Sequence, residues 1–133
     1  MKLNERFGKE YKCCSKKNID LVFQSNQKIK LYPFITYYKI DDYEFDTAFQ
    51  VVISVPKRNL KKAHDRNRIK RLIKEVMRKN KHLIEIPLMS VGHKMLLFFI
   101  YTAQEELKYV ILDDKIKRLF EQLNKQLSLY EKH

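Results

Sequence analysis

Glycine is almost missing from this chain: two residues in 133, with only three prolines and no tryptophan. So few breakers exclude a fold of many tight turns and imply long regular elements. The only two cysteines, Cys13 and Cys14, are neighbours. Adjacent cysteines rarely bridge, which excludes a disulfide framework and suits a reducing compartment. There is no C-x-x-C, and His64, His82, His93 and His133 are scattered, so no ligand spacing for a protein-held metal is present. No apolar run approaches the roughly 20 residues that span a bilayer. The longest covers residues 95–101, and the N-terminus lacks the apolar segment of a signal peptide. These absences lead to the expectation of a cytoplasmic protein with no membrane partner and no metal of its own.

Acids are also in short supply. The chain has 28 Lys and Arg against 16 Asp and Glu, a net charge of +12. The excess is focused. Between residues 57 and 81 there are 12 cations and 2 acids, a net of +10. Residues 104–133 hold six of each and balance. A local field of that size marks a binder of polyanions, whose affinity comes from counterion release. The hydrophobic share of 44% is ordinary for a globular chain, so the charge does not imply disorder. The length fits one domain over residues 1–133, with 1–14 expected as a flexible segment.

Along the chain, Ser15 can cap a helix over residues 16–24, in which Ile19, Val22 and Phe23 recur at helical spacing. Residues 34–40, rich in aromatic and β-branched side chains, predict a strand. Residues 47–55 predict a second strand paired with the first. Asp65 is read as the N-cap of a helix to about residue 83, with Ile69, Leu72, Ile73, Val76 and Met77 on one stripe. Arg66, Asn67, Lys70, Arg71, Lys74, Arg78 and Lys81 are expected on the face away from it. Pro87 and Gly92 bracket an expected loop. The run 94–102 suggests a central strand covered on both faces. Asp113 or Asp114 can cap a last helix carrying Ile116, Leu119, Phe120, Leu123 and Leu127. The order α-β-β-α-β-α predicts an α+β two-layer sandwich, a small mixed sheet packed by helices.

No G-x-S-x-G, H-E-x-x-H or phosphate-binding loop occurs, so neither a catalytic side chain nor a small-molecule substrate is expected. His64 beside Asp65 could be read as a general base, but a loop histidine near phosphates is the simpler account. A charge run is commonly only a solvated face. Here the self-repulsion of +10 in 25 residues argues for a counter-charged partner. A membrane-surface helix would want bulkier apolar residues and Trp opposite its cations. A DNA recognition helix would want a helix before it, where this chain has strands. RNA fits best. Phe34, Tyr37, Tyr38 and Phe49 offer stacking surfaces for unpaired bases, although strand aromatics commonly serve the core. Alternation sends Tyr37 to one face and Thr36 and Tyr38 to the other, and leaves open which is which.

The residues that carry a resemblance are Ser54-Val55, then Lys57-Arg58, then the unbroken run Ala63-His64-Asp65-Arg66-Asn67-Arg68-Ile69-Lys70-Arg71-Leu72-Ile73-Lys74-Glu75. This resembles the bacterial ribonuclease P protein component family. The resemblance implies a sandwich with a left-handed crossover through the Arg-Asn-Arg helix, similar to domain 2 of ribosomal protein S5. It implies a protein subunit partnered by a catalytic RNA subunit and by precursor tRNA, whose 5′ leader the holoenzyme removes. Catalysis would belong to the RNA and its Mg2+ ions. The RNA-binding set would be Lys57, Arg58, Lys61, Lys62, Arg66, Asn67, Arg68, Lys70, Arg71 and Lys74. Phe23 and Tyr37 would line the leader cleft, with Ile19 where a second cleft aromatic is often found. A structural rRNA-binding protein without a nuclease role is the alternative.

Overall fold

The computed structural model describes residues 7–13 and 15–131. Cys14, part of the expected N-terminal flexible segment, lies outside them, as do residues 1–6 and 132–133. After a 3-10 turn at Lys9–Tyr11 come α1 (Lys16–Gln24), β1 (Lys28–Leu31), β2 (Phe34–Asp41) and β3 (Phe49–Ser54). The second half holds α2 (Ala63–Asn80), α3 (His82–Val91), β4 (Lys94–Tyr101) and α4 (Tyr109–Glu131). The fold is α+β with a small mixed sheet, as expected, but the expected order α-β-β-α-β-α lacks β1 and α3.

The strands form one sheet in the order β1-β2-β4-β3. β2 pairs antiparallel with β1 and with β4, while β3 pairs parallel with β4. The expected pairing of the second strand with the first is therefore wrong, because β4 lies between them. A parallel pair needs a long crossover, and α2 and α3 supply it. The charged helix is thus the first part of the connection between β3 and β4.

One face of the sheet carries Phe34, Tyr38, Phe49, Val51, Met95, Leu97, Phe99 and Tyr101. α2, α3 and α4 bury this face with Ile69, Ile73, Val76, Met77, Ile84, Leu88, Leu112, Ile116, Leu119, Phe120, Leu123 and Leu127. Every predicted core position of the last helix is buried, and of those on α2 only Leu72 is partly open. The other face is covered at one end only, where Val22 of α1 packs on Leu96. The expectation that β4 is covered on both faces holds for Leu96 but fails for Phe98 and Ile100, which stay partly open.

Local chemistry explains the boundaries. The Ser15 side chain accepts a hydrogen bond from the Asn18 backbone N–H, 3.2 Å, and caps α1 as predicted. α2 starts two residues before Asp65, which sits in the first turn rather than capping it. There its carboxylate still favours the positive end of the helix dipole. The expected loop around Pro87 is helix. Pro87 has no N–H for the Leu83 carbonyl, and Asn124 of α4 donates to that oxygen instead, 2.8 Å. Gly92 ends α3 in the left-handed region, φ 75°, which a side chain would strain.

Residues 7–13 pack, contrary to the expected flexible segment. Tyr11 and Cys13 are buried, and Lys12 forms a parallel bridge to Val51 at the outer edge of β3. Tyr11 is anchored at the α2–α3 junction. Lys81 Nζ donates to the Tyr11 hydroxyl at 2.9 Å and lies 4.6 Å from its ring centre. That hydroxyl donates to Glu85 Oε1 at 2.8 Å, and Glu85 pairs with Lys81 at 3.4 Å. Burial first, and Glu85 second, push the Tyr11 phenol well above its ordinary value.

Candidate nucleic-acid interface

The helical repeat decides where each cation of α2 goes. Residues 69, 73 and 77 recur every fourth position and form the buried stripe. Position 81 continues the same series, so the Lys81 expected on the exposed face is buried, its side chain 2% accessible. The spacing already carried that signal.

The remaining cations wrap the solvated side. At about 100° per residue, Lys70 and Arg68 stand roughly 160° apart, on opposite flanks of the buried stripe. Lys70 and Lys74 face the groove beside β3 and the N-terminal segment. Arg68 faces the loop between β4 and α4. Asn67 and Arg71 lie between these flanks and are exposed. Lys57, Arg58, Lys61 and Lys62 precede the helix and are exposed too. The Asn59 side chain fixes that loop by donating to the Tyr101 carbonyl, 3.0 Å.

The two arginines of the motif are already engaged. Arg66 Nη1 turns back to the carbonyls of Leu60 and Lys61, 2.9 and 2.8 Å, and ties the loop to the helix start. Arg68 makes a fork onto Glu106, Nε to Oε1 at 2.6 Å and Nη2 to Oε2 at 2.7 Å. The same Nη2 reaches Asp65 Oδ1 at 2.9 Å. Hydrogen bonding to Glu106 raises the Arg68 guanidinium further and holds the Glu106 carboxyl below its ordinary range. Sequence reading missed Glu106, because it is 38 residues away from Arg68. By contrast, Lys57, Arg58, Lys61, Lys62, Lys70, Arg71 and Lys74 have no ion pair among the described residues. They are the free part of the charge.

His64 lies 3.1 Å from Asp65, with a side chain 69% accessible. Asp65 is shared with Arg68, and the pair faces open solvent rather than a cleft. Among the described residues no group of three His, Cys, Asp or Glu could hold a metal ion.

The half-open sheet face carries a second cluster. Phe23 of α1 is 38% exposed. Its ring lies 4.8 Å from Tyr37 and 4.6 Å from Phe98, tilted against both. Tyr37 thus falls on the face opposite the main core, which settles its parity, while Phe34, Tyr38 and Phe49 are core residues. Phe98 completes the cluster and was missed, since the run 94–102 gives no alternation to separate faces. Lys28 lies 5.7 Å from the Tyr37 ring centre and adds a cation at its edge. Among the described residues no helix is long and apolar enough to cross a membrane.

A crossover helix with unpaired cations and a mixed sheet whose second face carries tilted, partly exposed aromatics define a small α+β protein with a polycationic surface. The chain belongs to the ribonuclease P family: the family model described as Ribonuclease P matches residues 7–124. The ribonuclease P protein component of Porphyromonas gingivalis is 33% identical over 66 residues, covering 50% of this chain and 48% of that protein. That of Legionella pneumophila is 35% identical over 72 residues, covering 54% and 60%. These matches span about half the length of the relatives. Two solved structures share the fold: the RNase P protein of Staphylococcus aureus and that of Thermotoga maritima. The first has a TM-score of 0.62 at 18% identity, covering 85% of this chain and 94% of that one. The second has a TM-score of 0.66 at 17% identity, covering 84% and 96%.

Proposed function

We propose that this protein is the RNA-binding subunit of a ribonuclease P, joining a catalytic RNA and helping it remove the 5′ leader of precursor tRNA. The observation that carries the reading is the set of unpaired cations on α2 and the loop before it: Lys57, Arg58, Lys61, Lys62, Lys70, Arg71 and Lys74. Family membership supports the same partner. Lysines act as point charges on phosphates, and Arg58 and Arg71 can fork onto them. Arg66 holds the start of the helix in register with the loop, exposed Asn67 joins the free cations in meeting the RNA, and Arg68 joins the interface where a phosphate replaces Glu106. Mg2+ would be held by RNA phosphates and water, in keeping with its hydrated binding habit. The protein supplies no reacting group. It supplies position and local positive charge. Phe23, Tyr37 and Phe98 form the surface on which unpaired leader bases stack. A cytoplasmic location follows from such partners.

The test is reconstitution. Purified protein added to the catalytic RNA at low Mg2+ should restore leader cleavage of precursor tRNA. Absence of stimulation at any protein concentration would reject the reading.

A further inference from the structure

A groove of about 480 Å³ runs along the outer edge of β3, between the N-terminal segment and α2. Lys9 and Lys12 line one wall, Lys70 and Lys74 the other, and Val52 and Ile53 contribute to the floor. No lining residue is acidic, and none of the four lysines has an ion pair among the described residues. The groove exists because the segment bearing Lys9 and Lys12 is fastened through Tyr11 to buried Lys81 and Glu85.

Two features give the groove a direction. Val52 is the register partner of Phe98 and shares its face, so part of the groove floor belongs to the sheet side that carries the aromatic cluster. Its opposite wall is the basic flank of α2. The Val51 carbonyl points outward and takes the Cys13 N–H, 3.2 Å. Ile53, two residues on, turns its backbone N–H and C=O the same way, towards the groove. A channel with cationic walls and an apolar floor fits one strand of nucleic acid, phosphates to the lysines and bases to the floor. It does not fit a duplex, whose phosphates lie outside its bases. The outward N–H and C=O of Ile53 suit a phosphate oxygen and a 2′-hydroxyl.

We propose that this groove is a second binding site for single-stranded RNA, holding the strand that leaves the Phe23–Tyr37–Phe98 cluster and leading it round the β3 edge to α2. The choice of strand, the distal part of the precursor leader, rests on the function proposed above. The groove itself is testable without the ribozyme. An acidic extended peptide could also pair with the edge at Ile53, but continuity with the aromatic cluster and the basic helix favours RNA.

The experiment measures binding of the full-length protein to fluorescein-labelled oligouridylates of 6 and 12 nucleotides, by anisotropy at several salt concentrations. Wild type should bind the 12-mer more tightly than the 6-mer. The double substitution Lys9→Ala/Lys12→Ala should abolish that gain and lower the 12-mer salt slope by about 1.4, with the 6-mer unchanged. Both side chains are exposed, and an unchanged thermal unfolding curve confirms that the fold is kept. Phe23→Ala should weaken both lengths alike. Equal loss on both lengths in the lysine variant, or no loss on either, overturns the proposal. So does competition by polyglutamate as strong as by oligouridylate at equal charge, which would make the groove a peptide site. Failure here leaves the reconstitution result untouched, and failure of reconstitution leaves this length dependence standing.

Discussion

α2 and α4 pack against each other and share one hydrophobic logic, yet they treat charge in opposite ways. Each lays an apolar stripe on the same sheet face. On α4 two of the four cations are neutralised within the helix: Lys117 pairs with Asp113 at 2.9 Å and Arg118 with Asp114 at 3.2 Å, both at i,i+4, while Lys115 and Lys125 have no ion pair among the described residues. On α2 this device appears near the C-terminal end, where Arg78 pairs with Glu75 at 2.6 Å. From the loop before α2 to Lys74 most cations stand alone. Pairing on α4 shows that the chain can quench its own charge, and the exception on α2 marks where a partner is expected to do so. Arg68 is intermediate, because its two carboxylates come from its own first turn and from the loop before α4.

The shared seam should break both helices equally. Ile73→Ala and Leu119→Ala each remove a fully buried side chain and should each cost about 2–5 kcal/mol, read by denaturant unfolding. A much smaller loss on α2 alone would mean that this helix is held by something other than its stripe. Glu106→Gln sharpens the contrast by releasing Arg68 to the free set. RNA-subunit affinity should rise and the salt slope steepen by about one. Unchanged binding would show that Arg68 does not reach the RNA. The paired helix should lose stability when its acid is neutralised: Asp113→Asn removes a carboxylate bound by Lys117 and Asn80 and should cost about 1 kcal/mol. Lys74→Ala should instead leave stability level or slightly higher.

The pH effect is smallest. Burial pushes the Asp113 carboxyl up, but hydrogen bonds from Lys117 and Asn80 outweigh it and leave its affinity for a proton below the ordinary value. A depressed folded value gives stability that is present above the unfolded pKa, about 3.9, and lost as pH falls through the folded one. The Asp113→Asn penalty should therefore fade in acid. His93 runs the other way. Its hydrogen bond to Asp42, 2.8 Å, raises it, with Glu131 adding to the effect. Its contribution should be complete below about pH 6.5 and vanish as pH rises through the folded value, a loss that His93→Gln should abolish.

Much of this comparison was legible in the sequence. The stripe on α2 and the whole of the α4 core follow from helical period alone, because burial of a helix face is a local pattern. Charge focus was equally readable. What escaped was set by distant partners. The separation of β3 from β2 depends on where β4 inserts, some 40 residues later. The helix through Pro87 depends on Asn124, and the engagement of Arg68 on Glu106. Phe98 was invisible because a continuous apolar run hides which face is left open. Lys81 is different: its register was on the page, and its charge concealed it. The packing of the N-terminal segment is hidden from the sequence because its anchor, Tyr11 on Lys81 and Glu85, joins positions 70 and more residues apart.

The central claim is that the cations of α2 and of the loop before it which the fold leaves unpaired are those that hold RNA. Its most direct test is the salt dependence of RNA-subunit binding for single alanine substitutions at Lys57, Arg58, Lys61, Lys62, Lys70 and Lys74, set beside Arg78, Lys117 and Arg118. Each of the first group should lower the slope by about one, and the second group should leave it where it is. Equal slopes for the two groups would contradict the account.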